Sequence, residues 1–174
     1  MLGFPAFANH YNAAMTLPDL TPDCRNCDAL CCVLLGFDRS GSFAYTKPAC
    51  TACRNLDAAN LCRIHPDLAD KGFNGCIRFD CHGAGQVITA MFKGRSWRDD
   101  PGQMPAMDQA FRLQRRLHEA LVLLEQSAQL PLTAAQDATR QTLLAALQSP
   151  NPITALTQTA QFFASLRALT APRR

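Results

Sequence analysis

The crowding of its cysteines is the feature that most constrains this chain. All of them lie within about a third of the 174 residues. In order they are Cys24, Cys27, Cys31, Cys32, Cys50, Cys53, Cys62, Cys76 and Cys81. Cysteines that serve only as small apolar residues are scattered through a core and do not gather in one segment. The clustering therefore predicts a segment that binds metal through sulfur.

Composition sets the class of protein and its compartment. Hydrophobic residues make up 48% and charged residues 18%, which is typical of a globular chain. The net charge of +3 is too small to indicate nucleic-acid binding. No apolar run is long enough to span a bilayer, and polar residues interrupt the N-terminal segment, so neither a membrane partner nor a secretion signal is expected. We expect a cytoplasmic protein with reduced thiols, since nine cysteines cannot all form disulfides.

The chain divides where the cysteines end. After Cys81, apolar residues recur with the helical period of 3.6. The predicted fold is mainly α, with an irregular N-terminal cysteine-cluster metal lobe followed by a small antiparallel helical bundle. Its parts are an N-terminal arm over residues 1–23, the metal lobe over 24–85 and the helical lobe over 86–174. A turn leading into a short strand is expected within 38–48.

Three longer helices are predicted in the helical lobe. The first begins near Pro105 and carries an apolar stripe from Ala110 to Ala128. Thr133 and Gln136 predict a capping box for the second helix. Asn151 is expected to cap the third helix. The predicted buried face of that helix is Ile153, Leu156, Ala160, Phe163 and Leu166.

The cysteine spacing is compatible with more than one metal. Thiolate sulfur suits zinc, iron-sulfur clusters and copper(I). Cys24 and Cys27, paired with Cys50 and Cys53, have the spacing of a zinc ribbon, although this leaves five cysteines without a role. Alternatively, Cys24 and Cys27 with Cys31 or Cys32 form the close group of three thiolates found in many four-iron sites. The spacing allows up to two metal sites.

Other chemistry is less favoured. His65 follows Cys62 by three residues and could complete a zinc site, but a mixed ligand set leaves too many thiols over. No single cysteine is set apart with a base, so the chain is not expected to be an enzyme with a cysteine nucleophile. The glycines of Gly83-Ala84-Gly85 predict a tight turn before a helix.

Two stretches carry a family resemblance. The run CRNCDALCC resembles the signature of the bacterial CxxCxxCC cysteine-cluster proteins, described as zinc- or iron-chelating domains. The later stretch CRNLDAANLCRIHPDLADKGFNGCIRFDC is similar to the second cysteine segment of that family. With the following GAGQ and SWRDDP, it resembles a version found in some bacterial pentapeptide-repeat proteins, although this sequence has no pentapeptide array. Three residues separate Cys27 from Cys31 where the family has two, and His65 stands where the family usually has Tyr.

The resemblance implies a ligand set and a role. The implied metal ligands are Cys24, Cys27, Cys31, Cys32, Cys53, Cys62, Cys76 and Cys81, with Cys50 left out. The implied cofactor is an iron-sulfur cluster or zinc. We expect a metal-binding protein that leans to an iron-sulfur cluster in electron transfer or in redox or metal sensing. The alternatives are a structural zinc module that binds a protein partner through the helical lobe, and thiolate storage or delivery of copper.

Overall fold

The computed structural model describes residues 17–92 and 96–167. Over these ranges an irregular N-terminal region is followed by helices, and strand pairing is limited to isolated bridges. The helices are α1 (Leu30–Leu34), α2 (Asn74–Arg78), α3 (Ala84–Met91), α4 (Met104–Ser127), α5 (Ala134–Leu147) and α6 (Ile153–Ser165). Short 3-10 turns occur at Cys24–Asn26, His65–Asp67 and Pro101–Gln103. The prediction of a mainly α fold is therefore confirmed.

The chain forms two compact units. The first, called the N-terminal unit, is Leu20–Arg115 and contains every cysteine together with α3 and the first half of α4. The second, called the helical unit, is described over residues 17–19 and 116–167. Most of the predicted arm over residues 1–23 lies outside the described residues. The predicted lobe boundary at residue 85 stays a prediction.

The N-terminal unit has a core of its own, formed by α1, α3 and the start of α4. Its members are Ala29, Leu30, Val33, Leu34, Ala84, Ile88, Trp97, Met107 and Phe111. Burying a large apolar side chain of this kind contributes about 1.5–3 kcal/mol. The indole Nε1 of Trp97 donates to the carbonyl oxygen of Asp28 at 2.7 Å, so its polar atom is satisfied. The core fixes α1 and α3 in place, and cysteines lie at or beside both helices.

The segment between α1 and α2 has little regular structure. Isolated antiparallel bridges join Phe37 to Lys47, Ser40 to Phe43 and Leu56 to Cys62. An aromatic cluster supports the segment: Phe37 stacks on Phe43 with ring centroids 4.3 Å apart, and Tyr45 meets Phe73 edge-on at 5.4 Å. Each such pair contributes about 0.5–1.5 kcal/mol beyond the area it buries. Side-chain contacts therefore supply much of the stability that strand pairing supplies in a β-sheet.

The helical unit contains the second half of α4 together with α5 and α6. A short turn over residues 148–152 joins α5 to α6, and the two helices pack on each other. Leu143, Leu144 and Leu147 are buried. Arg140 is also buried; its guanidinium donates to Asp137 at 2.7 Å and to the Leu124 carbonyl at 3.5 Å. The predicted capping box of Thr133 and Gln136 is present.

Several local predictions were wrong. Helix α6 has Pro152 at its N-cap and no side-chain cap, so Asn151 does not have the predicted role. Its buried residues are Ala155, Thr159, Phe162 and Leu166. Of the predicted face, Leu166 is buried, whereas Ile153 is 57% exposed and Ala160 is exposed.

Two further predictions fail at the edges of elements. Ala128 is exposed beyond the end of α4, and Ser127 is buried there instead with its hydroxyl on the Leu124 carbonyl at 2.7 Å. The strand expected within 38–48 consists only of isolated bridges. None of the helices in the described part of the chain has the length and apolar character needed to cross a membrane.

We predict that Thr133→Ala lowers the free energy of unfolding by about 1 kcal/mol, because it removes the hydroxyl that accepts from the Gln136 N-H. Urea unfolding followed by circular dichroism measures the change. Thr157→Ala, at an exposed position inside α6, is the control and should cause no loss. Equal losses in both variants would contradict the capping role.

Candidate metal centre

The cysteines are brought together from distant parts of the N-terminal unit. Cys31 and Cys32 lie on α1, Cys76 on α2, and Cys81 three residues before α3 begins. Cys24 opens a 3-10 turn that packs on α3. All nine are free thiols.

Cys27 and Cys81 meet at the start of α3. A Cβ atom placed on Gly85 would lie 2.6 Å from Cys27 Sγ and 3.9 Å from Cys81 Sγ. Only a residue without a side chain lets the helix backbone approach these sulfurs so closely. Both sulfurs therefore lie beside one point on the first turn of α3.

Hydrogen-bond donors surround the Cys27 sulfur. Burial raises the pKa of the Cys27 thiol to about 11, opposed by hydrogen bonds from the Leu30 N-H and from Thr89. The Thr89 hydroxyl accepts from the Asp28 N-H at 2.9 Å, so its proton is left to donate to sulfur. Donors of this kind stabilise a thiolate or a metal-bound sulfur.

Cys31 and Cys32 form a close pair. Their sulfurs are 3.8 Å apart. The hydrogen bond between them, with burial, raises the pKa of Cys31 well above the usual value. The same hydrogen bond lowers the pKa of Cys32, to which the charge of Lys47 also contributes. The two consecutive thiols thus have different surroundings.

Cys32 is tied to Cys53. The Cys53 N-H donates to the Cys32 carbonyl at 3.0 Å. The Cys53 sulfur is 3.0 Å from the Tyr45 hydroxyl, and the guanidinium carbon of Arg54 lies 3.7 Å from the centroid of the Tyr45 ring. Burial and the contact with Cys53 raise the pKa of Tyr45 to about 12, so the hydroxyl keeps its proton and can donate it to sulfur.

Lys47 is a buried cation beside these thiols. Its Nζ donates to the carbonyl oxygens of Val33 at 3.0 Å, Pro48 at 3.1 Å and Thr51 at 2.6 Å. Only 3% of the residue is exposed. Burial lowers its pKa, whereas nearby cysteines, Cys53 first, act to raise it. A buried ammonium that is bonded to neutral carbonyl groups stabilises negative charge, such as a thiolate, placed near it.

Cys62 and Cys76 lie in the same region as Cys32 and Cys53. Cys62 is held by its bridge to Leu56, whose N-H in turn donates to the Cys53 carbonyl at 3.0 Å. Burial raises the pKa of Cys62, with the charges of Cys32 and Cys53 adding to the effect. Burial also raises the pKa of Cys76 to about 11, and the same cysteines again contribute.

Cys50 differs from the other cysteines. It is exposed and adopts a left-handed backbone conformation with φ of 54°. None of the cysteines with a shifted pKa has Cys50 among the leading causes. His65 is exposed at the start of a 3-10 turn, and His82 lies 3.5 Å from the Asp80 carboxylate.

The thiols are neighbours, and they do not form a ready coordination shell. Within residues 17–92 and 96–167, no three Cys, His, Asp or Glu side chains are close enough to hold a metal ion. The donor set nevertheless fits zinc or an iron-sulfur cluster, because thiolate sulfur is a usual ligand of both, hydrogen-bond donors contact the Cys27 and Cys53 sulfurs, and a buried ammonium lies in the same region. Ordinary buried cysteines need neither. The eight predicted ligands thus stay a prediction.

Three residues of the site carried no signal in the sequence. Tyr45 and Lys47 come from the irregular segment after α1, and Thr89 lies inside α3. No periodicity or spacing marks them, because each acts through contacts made outside regular secondary structure or, for Thr89, with residues far away in the chain.

Comparison with known proteins gives limited guidance. No family model matches the chain. No solved structure matches it. The uncharacterized protein YybG of Bacillus subtilis (strain 168) is 41% identical over 110 residues, which cover 63% of this chain. The match spans only 39% of the length of YybG.

We predict that Gly85→Ala lowers the free energy of unfolding by about 1–2 kcal/mol. The new methyl group would overlap Cys27 Sγ, and this clash outweighs the gain in helix propensity of about 1 kcal/mol. Urea unfolding under reducing conditions measures the change. Gly41→Ala is the matched control, since nothing lies within 4 Å of its Cβ position. A loss no larger than that of the control would contradict the close approach.

We predict that Lys47→Met lowers the free energy of unfolding by about 2 kcal/mol, because it removes the charged donor from carbonyl groups that are partly or fully buried. Methionine keeps an unbranched apolar stem. Lys71→Met, at an exposed position, should change stability by less than about 0.5 kcal/mol. Chemical unfolding of both variants distinguishes a buried tether from a general effect of lost charge.

Proposed function

We propose that this chain is a metal-binding protein that holds its metal through cysteine thiolates of the N-terminal unit. One observation carries the proposal. Eight cysteines spread over 58 positions, from Cys24 to Cys81, lie near one another around α1, the start of α3 and the Lys47 segment. Cys50 is exposed, and its N-H donates to the Leu34 carbonyl of α1. The neighbours of the eight are the groups that stabilise charged sulfur: N-H donors, two hydroxyl groups and a buried ammonium.

The raised thiol pKa values support a metal and argue against free thiolates. Burial disfavours the charged form of Cys27 and Cys76, so these groups are neutral without a cation. A coordinated metal ion supplies the positive charge that displaces the protons. The free state of all nine cysteines also supports a reducing compartment, and we place the protein in the cytoplasm.

Our first choice of cofactor is an iron-sulfur cluster, in electron transfer or in redox or metal sensing. Such a cluster supplies one-electron chemistry, and its potential depends on burial and on hydrogen bonds to the sulfurs. The Thr89 and Tyr45 hydroxyl groups and the Lys47 ammonium are the residues of this chain that would set that potential.

A structural zinc site is the second candidate, and the irregular backbone between α1 and α2 favours it. A segment held by turns and isolated bridges gains stability from a metal that cross-links it. Here the helical unit would carry the interaction with a protein partner. A groove between α5 and α6, lined by residues that include Thr139, Leu143 and Phe162, is available for such contact.

Elemental analysis and an absorption spectrum of the full chain, purified without air, test the proposal. Iron with sulfide and a brown colour would support the first cofactor, and about two zinc ions per colourless chain the second. Many more than two metal ions per chain would favour copper storage or delivery. Protein that binds no metal under reducing conditions would end the proposal.

Matched substitutions test the ligand set. We predict that Cys27→Ser lowers the metal content per chain, because Cys27 lies among sulfur-directed donors at the start of α3. Cys50→Ser should leave the metal content unchanged, because Cys50 is exposed and is not one of the eight proposed ligands. Equal metal loss from the two variants would show that the ligand assignment is wrong.

A further inference from the structure

The eight cysteines of the proposed metal centre fall into two groups around different elements. The first, called the α3 set, surrounds the start of α3 and consists of Cys24, Cys27, Cys31 and Cys81. The second, called the loop set, lies among the irregular segments that flank Lys47 and consists of Cys32, Cys53, Cys62 and Cys76. Resting on the proposed function, we propose that each set holds one metal ion or one cluster, so that the chain carries two four-thiolate sites divided between Cys31 and Cys32.

Contacts with α3 define the first set. Cys27 and Cys81 flank the same point beside Gly85. The 3-10 turn that begins at Cys24 packs on α3, and the Asp23 N-H before it donates to Gln86 Oε1 at 3.2 Å. Among the cysteines that act on it, Cys24 has its strongest electrostatic interaction with Cys81, ahead of Cys32 and Cys62 of the loop set.

Contacts with the loop segments define the second set. Cys53 is joined to Cys32 through the backbone hydrogen bond and to Tyr45 through its sulfur. The bridge of Leu56 to Cys62 closes a small loop that starts at Cys53.

Cys76 reaches the same region through α2. The N-H of its neighbour Gly75 donates to the Ser42 carbonyl at 2.9 Å, and Gly75 packs directly on the Phe43 ring. The nearest charged neighbours of Cys76 are Cys32, Cys53 and Cys62, which are the other members of the loop set.

The division falls within α1. The Cys31 and Cys32 sulfurs are 3.8 Å apart, so the two proposed sites would be close neighbours. Consecutive residues of a helix leave its axis about 100° apart, which allows adjacent cysteines to serve different sites. Cys31 has Cys27 and Cys81 as electrostatic neighbours beyond its partner Cys32. Cys32 instead responds to Lys47 and is held to the backbone of Cys53. Each set thus receives one thiol of the pair.

The number of thiols agrees with the division. Zinc in structural sites and four-iron clusters each take four thiolates, so eight thiols fill two sites with none left over. The two sites are not equivalent, because Lys47 lies closest to Cys53 and Cys32 of the loop set. Within residues 17–92 and 96–167 no three ligands are close enough to hold a metal ion, so the proposed sites require the cysteine side chains to rotate when the metal binds.

Cadmium-113 NMR on the full chain, loaded with cadmium alone under reducing conditions, tests the division. We expect two resonances of sulfur-ligated cadmium from the unmodified protein. Cys81→Ser should shift or remove one of them, and Cys62→Ser the other. The double variant Cys27→Ser with Cys81→Ser changes only the α3 set, so it should leave the resonance of the loop set in place. The double variant Cys81→Ser with Cys62→Ser changes both sets and should alter both resonances.

The outcomes separate this inference from the proposed function. If Cys81→Ser and Cys62→Ser alter the same resonance, or if each alters both equally, the division is wrong although metal binding stands. If the unmodified protein binds no cadmium, the proposed function itself fails. Cys50→Ser, the control, should leave both resonances unchanged.

A second measurement needs no variant to fold. The unmodified protein receives one equivalent of cadmium, and a brief pulse of N-ethylmaleimide then labels the unprotected thiols. Mass spectrometry of the intact chain should find protected cysteines in blocks of four, matching the α3 set or the loop set. Blocks that mix members of the two sets would overturn the division.

Discussion

The buried Lys47 ammonium is the interaction on which the cysteine region depends most. It joins the Val33 carbonyl, inside α1, to the carbonyls of Pro48 and Thr51 in the segment that follows. Together with the backbone hydrogen bonds from the Cys50 N-H to the Leu34 carbonyl and from the Cys53 N-H to the Cys32 carbonyl, this tether holds the segment before Cys53 against α1. The same ammonium is the buried positive charge nearest to Cys53 and Cys32, so one side chain serves both the fold and the electrostatics of the sulfurs.

Helical periodicity predicted the C-terminal helices well, because apolar residues at every third and fourth position must face a core. The capping box at Thr133 was equally legible, since it depends only on residues three apart. The buried face of α6 was not, because it includes the small or polar residues Ala155 and Thr159, which hydrophobicity alone does not single out. Local rules specify an element, and packing decides its rotation.

The sequence predicted that the cysteines form one cluster, but it did not predict which of them lie next to each other. Spacing could suggest that Cys24 and Cys27 act together, but it could not show that Cys81 would join Cys27 beside Gly85. The roles of Lys47, Tyr45 and Thr89 were equally hidden. Thr89 contacts residues far away in the chain, and Lys47 and Tyr45 act from an irregular segment, so no pattern of residue types records their contacts.

The pairing of Cys31 with Cys32 has a mechanical consequence. Helix α1 has only five residues, and its adjacent sulfurs lie 3.8 Å apart. Any tilt of this short helix therefore displaces both sulfurs at once. A shift of α1 relative to the start of α3 therefore also moves the Lys47 segment, because Lys47 is bonded to the Val33 carbonyl of the same helix.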